Sequence, residues 1–268
     1  MLGRHRTSCL GMSFVCICSG AVAASETTLD LALILAVDVS SSMAQAEQSL
    51  QRSGFIEAFR SPVVHKTIAR GALGRIAVAY VEWSGVDEQT VLVPWTVIDG
   101  TDAARTFASQ LGHKPIQQAG MTSISGVIDF SMRLFADLVD RPARQVIDIS
   151  GDGPNNDGPK VRHVRDHAVA EGITINRLTI QIPGMVSGWE FGDLDRYYVD
   201  CVIGGAGAFM IPLRRADQFP SVIKTKVLRE IAGPGPSPLV LPAGAQADCL
   251  SGEKRRVEEE AWGGEGNP

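Results

Sequence analysis

Asp38, Ser40 and Ser42 in the run Asp38-Val39-Ser40-Ser41-Ser42, together with Thr122 and Asp152, offer two carboxylates and three hydroxyls. Each piece stands where an apolar segment gives way to loop-like sequence. The donor set is made of hard oxygens alone, without thiolate or imidazole. It therefore suits Mg²⁺, with Mn²⁺ or Ca²⁺ as further candidates, better than zinc. Magnesium takes about six ligands and usually retains water, so a site with few direct protein ligands leaves room for an outside carboxylate oxygen. Side chains two apart in an extended segment point the same way, which lets Asp38, Ser40 and Ser42 converge.

The elements that must position these residues can be read around them. Residues 31–37 are continuously apolar, as in a strand buried on both faces, and Asp38 is the first polar residue beyond. Thr122 precedes Ile124, Val127, Ile128, Ser131, Leu134, Phe135 and Leu138, whose spacing of threes and fours predicts an amphipathic helix with Thr122 at or near its N-terminus. Asp152 follows the strand-like run 146–150 and sits in the turn-rich stretch Gly151-Asp152-Gly153-Pro154-Asn155-Asn156. In open α/β sheets the ligand crevice lies beyond the carboxyl ends of the strands, where these pieces would meet.

The D-x-S-x-S run, the later threonine before a helix and the Asp-Gly after a strand resemble the metal-ion-dependent adhesion site of the von Willebrand factor A domain family. The resemblance covers residues 29–232. The Ser-Gly-Asp-Gly-Pro-Asn-Asn turn and the run Val-Ile-Gly-Gly-Ala-Gly-Ala-Phe at residues 202–209 are similar to an exported bacterial branch of it. This likeness implies that Ser40 and Ser42 bind metal directly, Thr122 directly or through water, and Asp38 and Asp152 largely through water. One departure stands out: many members carry Thr or Ser immediately before the second aspartate, where this chain has Gly151. Asp and Ser are also common at strand ends and helix caps for local hydrogen-bonding reasons, so a set of structural caps is the competing reading. Asp148, inside an apolar strand run, requires a charged or hydrogen-bonded partner that the sequence does not identify.

Apolar runs at 76–81, 91–97, 146–149, 173–180 and 208–213 alternate with helical stripes such as Val161, Val164 and Ala168, or Phe219, Ile223, Val227 and Ile231. Alternation of this kind predicts an α/β, doubly wound, mostly parallel central sheet with helices on both faces. The short polar link between runs 76–81 and 91–97 predicts one antiparallel edge strand. At 268 residues and 44% apolar composition, the chain can bury a substantial core as one domain with appendages.

Arg4 and Arg6 followed by the mostly apolar stretch 10–24 predict a secretory signal over residues 1–23, with a retained anchor and a lipoprotein as competing forms. The mature chain would be periplasmic or secreted and has no later run long enough to span a bilayer. Cys201 and Cys249 would be its two remaining cysteines, either joined in a disulfide or as a buried thiol and a tail thiol. Residues 233–268 read as a Pro/Gly-rich linker and flexible charged tail, with a docking peptide around Trp262 as the other reading.

The net charge is −5, and becomes −7 once Arg4 and Arg6 are removed, a balance that gives nucleic-acid binding no support. His163 and His167 lie four apart on a predicted helix but lack the H-E-x-x-H glutamate and a third ligand, so a solvated helix face is preferred to zinc. Gly204-Gly205-Ala206-Gly207 precedes a strand and reads as a turn. No nucleophile elbow, phosphate loop or dinucleotide fingerprint is present. Two functions follow: a non-catalytic module capturing an Asp or Glu side chain of a partner protein through the cation, or a metal-assisted periplasmic hydrolase. The second also needs a general base, which the sequence does not supply. No motif speaks to oligomeric state.

Overall fold

The computed structural model describes residues 27–115, 118–182, 191–233 and 246–264. The expected leader at 1–23 and the linker from 234 to 245 lie outside the described residues. Strand β1 (Leu31–Asp38) is buried along its whole length. Its side chains divide by the strand period between two cores: Leu31, Leu33, Leu35 and Val37 enter one, and Ala32, Ile34 and Ala36 the other. An uninterrupted apolar run is what a strand covered on both faces requires.

The first core is closed by α1 (Gln45–Arg60), α2 (Pro62–Ala69), α3 (Thr101–Gly112) and α7 (Phe219–Ala232), which contribute Phe55, Ile68, Phe107 and Ile223 among others. The second lies under α4 (Ile124–Ala136), α5 (Val161–Ala170) and α6 (Phe191–Tyr197), through residues such as Val127, Ala168 and Leu194. Between them, β2 (Ile76–Trp83), β3 (Gln89–Ile98), β4 (Gln145–Gly151), β5 (Thr174–Ile180) and β6 (Met210–Leu213) complete a sheet ordered β3-β2-β1-β4-β5-β6. All neighbouring pairs are parallel except β2 with β3, the expected antiparallel edge. From β1 the chain winds outward to β2 and then returns to β4 on β1's other side. That reversal makes the carboxyl ends of β1 and β4 the topological switch point.

Two features were hidden from pattern reading. Helix α1 buries Glu47, Gln48, Gln51 and Arg52 alongside Phe55 and Phe59, so its inner face carries no clean apolar stripe. Arg52 pairs with Glu82 of β2, and Gln51 donates to the Ser150 hydroxyl of β4, which gives these two buried side chains polar partners. The charged C-terminal stretch, expected as a flexible tail, instead contains helix α8 (Ser251–Gly264), and the Cys201–Cys249 disulfide ties its approach to the domain. Composition marks that stretch as solvated, but a covalent tether and tertiary contacts can order a polar helix.

Asp148 finds its partner in Lys226 of α7, at 2.5 Å, and Lys226 also contacts Glu230 at 2.8 Å. The Asn176 amide donates to the other Glu230 oxygen at 2.6 Å. Two buried carboxylates thus share one ammonium. Gly205 (φ 92°) and Gly207 (φ 70°) make the turn into β6 in a backbone region that favours glycine.

Candidate metal centre

Asp38 is the last residue of β1, not the first beyond it, and is fully buried. The Ser40 backbone N–H donates to Asp38 Oδ1 at 2.8 Å, so the chain bends after the strand instead of continuing extended. Convergence of the three side chains therefore comes from a turn, in which an aspartate accepts from the amide two residues on. Ser40 Oγ lies 3.0 Å from Ser42 Oγ, and the Ser42 hydroxyl donates to Asp152 Oδ1 at 2.7 Å. Asp38, Ser40, Ser42 and Asp152 thus form one hydrogen-bonded chain across the ends of β1 and β4.

Thr122 lies just before the α4 cap, Ser123, whose hydroxyl accepts from the Gly126 N–H at 3.1 Å. Its own N–H donates to Asn156 Oδ1 at 2.9 Å, while the Asn156 N–H donates to the Thr122 carbonyl at 2.9 Å. The Asn155 Oδ1 accepts from the Ser125 N–H at 2.9 Å. The two asparagines of the Asp152 turn consequently hold the Thr122 loop beside it. The threonine hydroxyl stands 3.9 Å from where a Cβ on Gly153 would be, next to Asp152. All five sequence-derived positions gather at the switch point, with Ser42 the more open among largely buried neighbours.

Arg177 of β5 carries a charge inside the otherwise uncharged run 173–180, a signal of the same kind as Asp148 in its own strand. It is fully buried, stacks on the Tyr198 ring with 4.0 Å from Cζ to the centroid, and donates to the Tyr198 hydroxyl at 2.7 Å. Tyr198 in turn donates to the Gly153 carbonyl at 2.7 Å, bracing the Asp152 turn. A Cβ on Gly151 would stand 2.4 Å from Asp38 Oδ2 and 3.0 Å from Arg177 Nη2. The missing Ser or Thr is thus explained: the bare backbone lets the buried guanidinium approach Asp38 from beneath.

Burial, then the Asp152 charge, pushes the Asp38 carboxyl up to about 7 against the pull of Ser40's hydrogen bonds and of Arg177. Burial raises Asp152 too, opposed by the Ser42 hydrogen bond and by Arg177. Asp38 Oδ2 is buried without a hydrogen-bond partner among the described residues. Among the described residues no group of three or more His, Cys, Asp and Glu side chains is placed to hold a metal. His163 and His167 are exposed on α5, as a solvated face requires.

The cluster opens into a cavity of about 160 Å³ lined by Ser42, Thr122, Gly153 and Asn156 on one side and by Arg255, Arg256 and Glu259 of α8 on the other. Helix α8 is seated by close contact: a Cβ on Gly252 would stand 2.1 Å from the Asn155 carbonyl oxygen. The Asn155 amide also donates to Glu253 Oε1 at 2.9 Å.

A parallel sheet with one antiparallel edge, wound by helices on both faces and bearing a polar cluster at its switch point, is the von Willebrand factor A fold. The solved structures agree. Proximal thread matrix protein 1 from the mussel byssus superimposes with a TM-score of 0.56 at 15% identity, over 77% of this chain and 49% of that one, in a form with a zinc-occupied MIDAS motif. The pilus adhesin SpaC from Lactobacillus rhamnosus GG in its open conformation gives 0.55 at 13%, over 77% and 30%. The von Willebrand factor type A protein from Catenulispora acidiphila gives 0.52 at 13%, over 76% and 43%. The chain spans less than half the length of each. Its sequence matches the family described as "Protein of unknown function (DUF1194)" over residues 28–235, and the chain belongs to that family. No curated protein matches it closely enough to count as a relative.

Proposed function

We propose that this chain is an exported, non-catalytic binding module in which a divalent cation joins the Asp38–Ser40–Ser42–Thr122–Asp152 cluster to an Asp or Glu side chain of a partner protein. The supporting observation is the buried Asp38 Oδ2, without a hydrogen-bond partner among the described residues, at one end of a carboxylate–hydroxyl chain that ends on Asp152. Two buried carboxylates in one cluster are costly without compensating positive charge. Arg177 brings a single positive charge from beneath, and a divalent cation at the mouth would supply the rest. The residues fit Mg²⁺ first, then Mn²⁺ or Ca²⁺, because every donor is oxygen. Ser40, Ser42 and Thr122 would hold the ion and Asp38 and Asp152 its waters. When bound, it supplies an electrophilic position for a carboxylate oxygen of the partner.

The fold neighbours favour this reading, since one was solved with a zinc-occupied MIDAS motif and another is a pilus adhesin. Export rests on the leader read at 1–23, with the Cys201–Cys249 disulfide in keeping with an oxidising compartment. No helix of the described residues is long and apolar enough to cross a membrane. The hydrolase reading needs a general base outside the ligand set. Among the described lining residues Glu259 is the one further carboxylate, and it accepts from Arg255 at 2.9 Å.

The test is binding of a labelled Gly-Asp-Gly peptide in Mg²⁺ and in EDTA. Binding should require the metal and vanish in Ser40→Ala while the melting temperature in EDTA stays near wild type. Binding that survives EDTA, or that Ser40→Ala retains in full, rejects the ligand assignment.

A further inference from the structure

The partner's carboxylate would enter a cleft that the von Willebrand-like domain builds only in part. Its outer wall is α8, and several contacts fix that wall in place. The disulfide joins Cys249, just before the helix, to Cys201. The Ala247 N–H donates to Asp200 Oδ2 at 2.8 Å. Gly252 meets the Asn155 backbone so closely that any side chain there would collide with it. These contacts tie Ala247, Cys249 and Gly252 to Asp200, Cys201 and Asn155, so the wall belongs to the folded unit.

Helix α8 holds three cations and four glutamates, but the charged residues it turns toward the cavity are Arg255, Arg256 and Glu259. Arg255 and Arg256 are half-buried and line the same cavity as Ser42 and Thr122. Arg255 donates to Glu259 at 2.9 Å. Arg256 faces Asp157 at 3.7 Å and Glu260 at 3.9 Å, beyond hydrogen-bond reach, and its buried Nε has no hydrogen-bond partner among the described residues. About a third of the Arg256 side chain stays exposed, and a guanidinium offers a partner carboxylate charge-assisted, bidentate hydrogen bonds. The cavity of about 160 Å³ has room for side chains of a partner segment between the metal position and α8.

We propose that Arg256, aided by Arg255, forms a second carboxylate subsite, so that the cleft selects a partner segment bearing two acidic side chains, one at the metal position and one at the α8 wall. This rests on the metal-dependent reading above and adds a recognition element from outside the shared fold. Arg256 acts on the partner directly, and the disulfide acts by holding Arg256 over the metal position.

The experiment compares two labelled peptides, Gly-Asp-Gly-Gly-Gly and Gly-Asp-Gly-Asp-Gly, on the protein carrying α8 and its disulfide, in Mg²⁺ and in EDTA. The two-acid peptide should bind at least fivefold more tightly in Mg²⁺. Arg256→Met, which keeps the apolar stem, should bring it down to the one-acid value, leaving the one-acid affinity and the Mg²⁺-induced melting shift unchanged. The Cys201→Ser/Cys249→Ser variant should likewise lose the preference, provided melting shows the domain still folded. Equal metal-dependent binding of both peptides by wild type overturns the subsite alone, as does a preference that Arg256→Met retains. Binding of neither peptide overturns the subsite and the metal-dependent capture together.

Discussion

Gly151 and Asp38 lie side by side at the ends of neighbouring strands, so close that a Cβ on Gly151 would come within 2.4 Å of Asp38 Oδ2 and 2.9 Å of its Cβ. The glycine is therefore a steric requirement of this particular site. Gly151→Ala should displace the aspartate or the strand end and cost about 1–3 kcal/mol, as overpacking of a close-packed interior does. It should also shrink the Mg²⁺-induced melting shift, because Asp38 moves. Urea denaturation and melting with and without Mg²⁺ check both outcomes. A variant as stable as wild type with an undiminished shift would show that the contact is readily relieved.

Arg177 supplies positive charge beneath the two aspartates, and its removal should act in opposite directions on the metal-free and metal-bound states. Without the guanidinium, the metal-free protein keeps two buried carboxylates with less compensation and loses stability on the order of 3–5 kcal/mol. The same change removes a repulsion felt by an incoming cation, so Mg²⁺ affinity should rise. Arg177→Met, studied by melting in EDTA and by Mg²⁺ titration, separates these effects. Loss of both stability and affinity would mean that Arg177 mainly holds the Tyr198–Gly153 support in shape.

The Asp148–Lys226–Glu230 cluster gives the protein a pH dependence far from the metal position. Burial pushes the Glu230 carboxyl up to about 7, with Lys226 opposing and the Asp148 charge adding to the rise. In the unfolded chain it titrates near 4.5, so the folded state binds the proton more tightly. Stability should therefore fall as pH climbs from about 4.5 to about 7, with no cost below that window and the full cost above it. Glu230→Gln removes this titration. The difference in urea midpoint between about pH 5 and about pH 7.5 should shrink in the variant. An unchanged difference would place the titrating group elsewhere.

Much of this arrangement was legible because the physics behind it is local. Residues 31–37 read as a doubly covered strand since nothing polar could be tolerated there, and the polar residues at its end marked the switch point. Asp148 announced a partner, but Lys226 lies 78 positions away on α7, a juxtaposition that only the packed sheet creates. Arg177 gives the same kind of signal inside its apolar run, but its partner Tyr198 follows only from the packing of β5 against the helical turn that carries it. Helix α1 stayed hidden because Gln51 and Arg52 face the core through long-range hydrogen bonds. The α8 sequence is polar throughout and by composition alone reads as a solvated tail. What orders it is the disulfide and the Gly252–Asn155 contact, and neither the formation of the one nor the existence of the other follows from composition.

The most direct measurement is thermal melting of the protein in EDTA and in excess Mg²⁺, Mn²⁺ or Ca²⁺, repeated on Asp38→Ala. A cation binding only the native state at 100 times its Kd adds about 2.7 kcal/mol. For a chain of this size that corresponds to a rise of roughly 5–10 °C. The proposed centre predicts such a rise in wild type and its loss in Asp38→Ala. No rise at cation concentrations sufficient for millimolar affinity, or an equal rise in the variant, would contradict a cation site at Asp38.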